Sequence, residues 1–291
     1  MSSAEASGVA QTAVPSGRFL PISSRRDSRF VFKVIRRAAR TLTPWLVPVA
    51  VLAAWQLGDV LALFPPRLVP SPMDVARVAV RLTASGELAR HVAVSARRAF
   101  LGFALGGLVG LGLGVLNGLS DRADKLFDTT LQMARAVPHL ALVPLFILWL
   151  GIGETAKVAL VALGVVFPLY INTVHGLRSV DSRLIELGRV HGLGTMALLR
   201  QIILPGALPS ILVGVRYGLG LMWLSLIVVE TISAQSGIGY LAMNAREFLQ
   251  TDVVLLSILL YAGLGKLADI ATHLLEYWLL PWNRGPRGSN A

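Results

Sequence analysis

The sequence predicts an all-α membrane protein with six transmembrane helices. Hydrophobic residues make up 54% of the 291 residues and charged residues only 15%, whereas soluble domains carry about 25% charged residues. Several mostly apolar segments are long enough to cross a bilayer as a helix, which takes about 20 residues. Prolines and charged residues separate these segments, so we expect the chain to cross the membrane repeatedly.

The predicted spans follow from the apolar segments in chain order. They lie near residues 44–64, 99–119, 131–150, 156–176, 211–232 and 253–277. Residues 72–98 between the first two spans are expected to form a polar, helix-prone connector, and residues 121–128 a short charged loop. Pro138 and Pro144 interrupt the third span, and a proline inside a helix predicts a kink.

Two polar tails, 1–43 and 278–291, are predicted to flank one membrane domain, 44–277. The first tail is basic, and Lys and Arg collect on the cytoplasmic side of membrane proteins. With an even number of spans, both termini and the long polar loop at 177–210 are then expected to be cytoplasmic. The basic residues of segment 65–98 are an exception to this pattern.

The formal net charge of +11 has other readings, which the sequence disfavours. No basic stretch is interleaved with the stacking aromatic residues that single-stranded nucleic acid requires, so we expect no nucleic-acid partner. An arginine-rich, acid-poor leader could also imitate an organelle transit peptide. The simpler interpretation is a basic tail that faces anionic lipid.

A stripe of glycines marks the second predicted span. Glycine recurs at every fourth residue: Gly102, Gly106, Gly110, Gly114 and Gly118. This spacing places small residues on one helix face, where another helix backbone can approach closely. We interpret the stripe as a helix-packing surface. It lacks the spacing of a dinucleotide-binding loop.

Several kinds of chemistry are absent from the sequence. The chain has no cysteine, which excludes disulfides, thiolate metal sites and cysteine nucleophiles. It contains neither a P-loop nor the H-E-x-x-H pattern of zinc proteases. The segment "AQSG" at 234–237 has Ala234 where an intramembrane serine protease would carry glycine. Two remote alternatives remain. One is a multipass enzyme that uses Glu230 or Ser236, and the other is a membrane scaffold that transports nothing.

The stretch "ELGRVHGLGTMALLRQIILPGALPS", 186–210, is too polar to cross the bilayer. Asp181 is positioned to cap a short helix that begins at Ser182 and ends near His191. Gly192 and Gly194 are then expected to form a turn.

A second short helix is expected after this turn. Thr195 could cap a helix over 196–204, which Pro205 would end. The result would be a rigid helical hairpin that either lies on the lipid surface or enters a groove on a cytoplasmic partner.

The register of this hairpin favours the second possibility. It reads Glu186-x5-Gly192-x9-Ile202-x-Leu204-Pro205, which resembles the EAA loop of ABC importer permeases, with the pattern EAA-x3-G-x9-I-x-LP. Leu187 and Gly188 stand where that pattern has two alanines. In that family the loop carries the coupling helix, which docks in a cleft of a separate ATPase subunit. We therefore call residues 177–210 the coupling loop.

The resemblance covers residues 44–283. Four segments are similar to permeases of the sulfonate, taurine and nitrate importers. They are "VPHLALVPLFILWLGI" (137–152), "PLYINTVHGLR" (168–178), the sequence of residues 203–254, and "YAGLGKLAD" (261–269). The similarity is strongest to the aliphatic sulfonate permeases. It implies a type I importer fold like that of the methionine importer, in the inner membrane of a bacterial cell.

The resemblance also implies partners and roles. Two copies of the chain would pair, bind two cytoplasmic ATPase subunits and receive a small organic anion from a periplasmic binding protein. ATP and Mg would bind the ATPase, so this chain would carry no cofactor, no metal and no catalytic residue. The residues implied in ATPase coupling are Glu186, Leu187, Gly188, Arg189, Gly192, Leu193, Ile202, Leu204 and Pro205.

The candidates for a substrate path or gate are polar residues in or near the spans. Glu230 is the foremost, because an ionisable group at membrane depth faces a cavity or a partner. Arg216 or Lys266 could pair with it, and a purely structural ion pair or a position near the outer membrane face is an equal alternative. The weaker candidates are Ser233, Asn244, His139 and Asn172.

Overall fold

The computed structural model describes Thr43 and residues 46–63, 65 and 68–283. Helices joined by turns make up these residues, and none of them forms a β-strand, so the all-α prediction is confirmed. Most of the first predicted tail and the end of the second, 284–291, lie outside the described residues. The chain divides into two units, Met1–Ala54 and Trp55–Ala291.

Eleven α-helices are described, and short 3-10 and π-helical turns accompany them. The α-helices are α1 (Leu46–Val60), α2 (Pro72–Ala84), α3 (Glu87–Leu119), α4 (Asp121–Ala136), α5 (Val143–Leu150), α6 (Glu154–Arg178), α7 (Ser182–Val190), α8 (Thr195–Leu198), α9 (Leu204–Ser233), α10 (Ile238–Glu247) and α11 (Thr251–Leu279). The 3-10 turns are His139–Leu142 and Pro281–Asn283, and the π turn is Leu199–Ile203.

Four of the described segments are helices long and apolar enough to cross a membrane: Glu87–Leu119, Glu154–Arg178, Thr195–Ser233 and Thr251–Leu279. A fifth span arises if the bent pair Asp121–Ala136 and His139–Leu150 counts as one. Helix α1 is apolar but has fewer than 18 residues. The first predicted span, 44–64, is thus not among the helices of sufficient length, and its residues Pro44, Trp45 and Phe64 lie outside the described residues.

The predicted connector at 72–98 is wrong as one element. Gly86 adopts a left-handed backbone with φ +75° and separates α2 from α3. Helix α3 then begins at Glu87 and continues without interruption to Leu119, because no proline lies between these residues. The second half of the connector is thus the first part of a span.

The predicted charged loop at 121–128 is also wrong, because α4 begins at Asp121. The hydroxyl of Ser120 accepts a hydrogen bond from the Ala123 amide, and the acidic residues of the first turn suit the positive end of a helix. The predicted kink of the third span is present. Helix α4 and the helical segment that starts at His139 meet at 79° across Pro138.

Helix α6 lies at the centre of the bundle and packs against α3 and α9. The apolar residues where these three helices meet are Ala99, Val161, Val165, Leu169, Met222 and Leu226. A second apolar cluster joins α2, α10 and α11 through Val78, Leu241 and Val253. A third cluster joins α5, α6 and α9 through Val143, Leu160 and Val229. Three apolar clusters of the described residues therefore hold the helices together.

The glycine stripe of α3 faces α6. A Cβ atom added to Gly102, Gly106, Gly110, Gly114 or Gly118 would meet the backbone or side chains of α6 inside contact distance. At Gly106 the obstacle is the backbone of Ala162, which cannot rotate away as a side chain can. The two helix backbones are in close approach along the whole stripe.

We expect Gly106→Ala to destabilise the protein by about 1–3 kcal/mol, the usual cost of overpacking a well-packed contact. The matched control is Gly112→Ala in the same helix, because a Cβ there meets nothing within 4 Å and alanine favours helix. Thermal unfolding of the purified protein in detergent measures both. Equal midpoints for the two variants would contradict the close approach.

Candidate functional site: the coupling loop and the buried polar residues

The first helix of the coupling loop has the predicted ends. The Asp181 carboxylate accepts a hydrogen bond from the Arg183 amide at 2.9 Å, and α7 runs from Ser182 to Val190. Gly192 then turns the chain with φ +78°. The Leu193 amide donates to the Gly188 carbonyl and the Gly192 amide to the Arg189 carbonyl. This pair of hydrogen bonds is the Schellman motif, which glycine favours.

The second helix differs from the prediction at both ends. Gly194, not Thr195, occupies the cap position, and no side chain caps the helix there. Pro205 does not end the helix, because α8 passes through the π turn at Leu199–Ile203 directly into α9. Residues 195–233 therefore form one continuous helical segment. The wider turn lies just before the proline, which has no amide hydrogen to donate.

Gly188 lies inside the coupling loop. Gly188 is buried. A Cβ atom added to it would meet the side chains of Ile202 and Leu198 at 2.6 Å and that of Leu193 at 3.3 Å. Leu187, its neighbour, points outward with 54% of its surface exposed. The two residues that stand in place of alanines thus face opposite ways: one allows close packing, and the other is available for contact.

The outer surface of the coupling loop is apolar. A groove of about 680 Å³ includes Leu184, Leu187 and Leu193 in its lining, together with Pro205 and Trp282. Val190 beside it is 84% exposed. Glu186 and Arg189 are exposed on the same helix. An exposed apolar surface bordered by charged residues is typical of a protein contact.

Glu230 is 1% exposed and sits among hydrogen-bond donors. The Arg98 guanidinium donates to its carboxylate at 2.7 Å, and the Ser95 hydroxyl lies 2.8 Å from both carboxylate oxygens. The Gly239 amide donates at 2.9 Å, and the Tyr261 hydroxyl donates at 3.1 Å. Burial of a carboxylate requires such compensation.

The predicted partners of Glu230 are wrong. Arg216 instead contacts Glu276 and Asp269, and Lys266 contacts Asp269. The reason is helical position: Arg98 lies on the buried face of α3, at the level where α9 ends. The predicted alternative of a structural ion pair describes the observed contact, while a role in a path or gate stays a prediction.

Arg98 connects Glu230 to a second carboxylate. Its guanidinium also makes two hydrogen bonds to Glu154, of 2.6 and 2.7 Å, and Lys157 lies 3.3 Å from the same carboxylate. Arg98 is 2% exposed, and the carboxylates of Glu154 and Glu230 balance its charge. It also donates to the Ser236 carbonyl. We call Arg98, Glu154, Lys157, Ser95 and Glu230 the buried ionic network.

The amides that begin α10 are satisfied by this network and by His91 next to it. The Gly237 amide donates to the His91 ring and the Ile238 amide to the Ser95 hydroxyl. The first amides of a helix have no partner within the helix. The network therefore fixes the start of α10 and the 234–237 turn.

The weaker candidates lie at separate places. His139 and Ser225 are 2.9 Å apart, and the side-chain amide of Asn172 donates to the Pro168 carbonyl one turn earlier in α6. Ser233 bonds the Val229 carbonyl, and Asn244 is half-buried in α10. Among the described residues no hydrogen bond joins any two of these four candidates.

Sequence reasoning missed Arg98, Ser95 and His91. A signal for them was present, because His91, Ser95, Arg98 and Gly102 follow at helical spacing on the face that carries the glycine stripe. The assignment of residues 72–98 to a connector concealed it.

Residues 102–280 match the family described as the binding-protein-dependent transport system inner membrane component. This match spans more than half of the chain and includes the coupling loop. The chain belongs to this family. The permease is therefore a multi-pass membrane component of an ABC importer, and its part in the reaction is transport rather than catalysis.

Two relatives are similar over most of their length. The SsuC protein of Escherichia coli (strain K12), named as an aliphatic sulfonates transport permease, is 58% identical over 83% of this chain and 92% of its own. The taurine transport system permease protein TauC of the same organism is 34% identical over 80% of this chain and 86% of its own.

A solved structure has the same fold. The permease resembles a chain in the inward-facing MetNI methionine ABC transporter, with a TM-score of 0.53, 21% identity, and coverage of 66% of this chain and 97% of the other. The predicted type I importer fold is confirmed. Permeases of this kind work with ATPase and substrate-binding partners.

Proposed function

We propose that the permease transports small organic anions with a sulfonate head group into the cell. The observation that supports this most strongly is the 58% identity to the E. coli protein named for aliphatic sulfonates, across 92% of that protein. The identity to the protein named for taurine, itself an aminosulfonate, is lower, at 34%. Taurine, nitrate or another small anion is the second candidate cargo.

We further propose that two copies of the permease pair in the bacterial inner membrane, with both termini in the cytoplasm. Two ATPase subunits would bind below them, one on each coupling loop, with ATP and Mg held by the ATPases. A periplasmic binding protein would deliver the anion. The apolar groove with Leu184 and Leu187, and the polar pair Glu186 and Arg189, supply the contacts that docking requires.

The coupling role is supported by the rigidity of the loop. Its first helix is capped at both ends, its interior packs around Gly188, and its second helix continues into α9. A displacement imposed on such an element is passed to the span. Among the remaining coupling residues, Gly192 forms the turn and Ile202 packs against Gly188. Leu204 and Pro205 lie where the loop continues into α9.

The substrate is tested on the partner binding protein. Calorimetric titration with ethanesulfonate, longer alkanesulfonates, taurine and nitrate should give the tightest binding for an alkanesulfonate, at least about tenfold over nitrate. Uptake into proteoliposomes that contain the complete complex should follow the same order. Tighter binding and faster uptake of taurine or nitrate would replace the sulfonate proposal with the second candidate.

A further inference from the structure

The last residue of α6, Arg178, contacts the ends of two other helices. Its Nη2 atom donates a hydrogen bond to the Asn117 carbonyl of α3 at 2.9 Å. The same atom lies 2.9 Å from the Asp124 carboxylate of α4, so one nitrogen makes both contacts. We call Arg178, Asn117 and Asp124 the Arg178 clamp.

Each contact of the clamp suits the helix end at which it lies. Asn117 is in the last turn of α3, where the carbonyls have no partner within the helix and a cation is favourable. Asp124 is in the first turn of α4, where a carboxylate is favourable. The clamp therefore holds the corner at which α3 ends and α4 begins.

Helix α4 is held only weakly by packing. None of its residues is buried against the rest of the described chain, and apolar side chains such as Leu126 and Met133 are exposed. Helix α3, in contrast, lies against α6 along its glycine stripe. Of the ion pairs between described residues, Asp124–Arg178 alone joins α4 to another helix.

The clamp lies at the entrance of the coupling loop. Three residues after Arg178, Asp181 caps α7. On the turn before Arg178, a Cβ atom added to Gly176 would lie 2.8 Å from the Ala207 carbonyl oxygen of α9. Because α6 and α9 are in close approach here, the entrance and the exit of the coupling loop lie side by side.

Helix α4 is also the first half of the broken span. It meets the helical segment that starts at His139 at 79°. His139 lies 2.9 Å from Ser225 of α9, and Val143 of α5 packs against α6 and α9. A movement of α4 therefore reaches contacts inside the bundle.

We propose that Arg178 is a positioning residue for transport, which makes α4 follow the displacements of the coupling loop. The inference rests on the coupling role in the proposed function. Helix α9 continues the coupling loop covalently, whereas α4 is connected to it through the clamp. The side chains of Arg178 and Asp124 are 41% and 22% exposed. A contact with this exposure contributes little to stability, so its loss should affect transport more than folding.

The test is the coupling ratio, which is the ethanesulfonate taken up per ATP hydrolysed by the complete complex in proteoliposomes with its binding protein. Arg178→Met keeps an unbranched side chain but removes the charge and the donors. We expect it to lower the coupling ratio at least about tenfold, within the usual range of coupling between sites. The ATPase should stay bound, and the thermal midpoint in detergent should fall by only a few degrees.

Three further variants make the result specific. Arg178→Lys keeps one nitrogen that can donate to both partners and should recover most of the coupling ratio. Asp124→Asn should lower the ratio in the wild-type background but have no further effect beside Arg178→Met, because the two residues act through one contact. The matched control is Arg122→Met, an exposed arginine in the same turn of α4, which should leave the ratio unchanged.

The outcomes separate this inference from the proposed function. A wild-type coupling ratio in Arg178→Met would overturn the inference, as would an equal loss in Arg122→Met. Release of the ATPase together with a large fall in the thermal midpoint would overturn it as well, because the clamp would then be structural. If the wild-type complex takes up no sulfonate, the proposed function fails. The anion that the complex does transport then replaces ethanesulfonate, and the same ratio decides on the clamp.

Discussion

Leu187→Asp is expected to abolish uptake while the permease remains folded. Leu187 is 54% exposed, so a charge there costs the isolated protein little. In the proposed complex the same side chain would be buried against the ATPase, and an unpaired carboxylate in an apolar contact is unfavourable. Loss of a central apolar contact costs an interface about 2 kcal/mol or more, which weakens ATPase binding at least about thirtyfold.

The measurement is co-purification of the ATPase, followed by uptake and ATP hydrolysis in proteoliposomes. Leu187→Met keeps the volume and the apolar character and should behave as the wild type. Glu186→Lys combined with Leu187→Asp should be at least as severe, because it also reverses the polar contact. If Leu187→Asp retained a bound ATPase and substrate-stimulated ATP hydrolysis, the assignment of the coupling loop would be wrong.

Glu230→Gln is expected to produce the largest loss of stability. The substitution keeps the shape of the side chain but leaves Arg98, which is 2% exposed, with only the half-exposed Glu154 as a charged partner. Removing one member of a buried ion pair costs about 3–5 kcal/mol, because the other charge stays buried. The thermal midpoint in detergent and the yield of folded protein should both fall.

Two comparisons make the Glu230 result specific. Glu276→Gln removes a half-exposed carboxylate from Arg216 and should cost less than about 1 kcal/mol. Arg98→Met added to Glu230→Gln removes the unpaired charge and should recover part of the stability. If the Glu230→Gln protein had wild-type stability and uptake, the Glu230 carboxylate would be needed neither for the stability of the fold nor for transport.

Helical periodicity in the sequence predicted much of the fold, and one boundary error limited the rest. The glycine stripe predicted a close helix contact, and α6 lies against it. The same face continues backward through Arg98, Ser95 and His91, all buried. Because the preceding residues read as a polar connector, these side chains were assigned to the wrong environment. Burial by partners distant in sequence overrides the local polarity of such a segment.

Contacts between residues far apart in the sequence could not be predicted from any single segment. The partner of Glu230 is 132 residues away in sequence, and any of several basic residues could have filled that place. The π turn before Pro205 is equally hidden, because proline ordinarily ends a helix and here the segment continues. The first half of the coupling loop was predicted more fully, since the Asp181 cap and the Gly192 turn are encoded by neighbouring residues.

The continuous segment Thr195–Ser233 has a consequence for how the coupling loop is aimed. Its 39 residues extend about 58 Å at 1.5 Å per residue, nearly twice a hydrocarbon core of about 30 Å. It can therefore act as a stalk whose lower end stands clear of the lipid. The π turn holds one extra residue, and each residue turns a helix by about 100°. Deleting Arg200 from the π turn would therefore rotate α7 by about 100° around the axis of this segment, although every coupling residue would still be present.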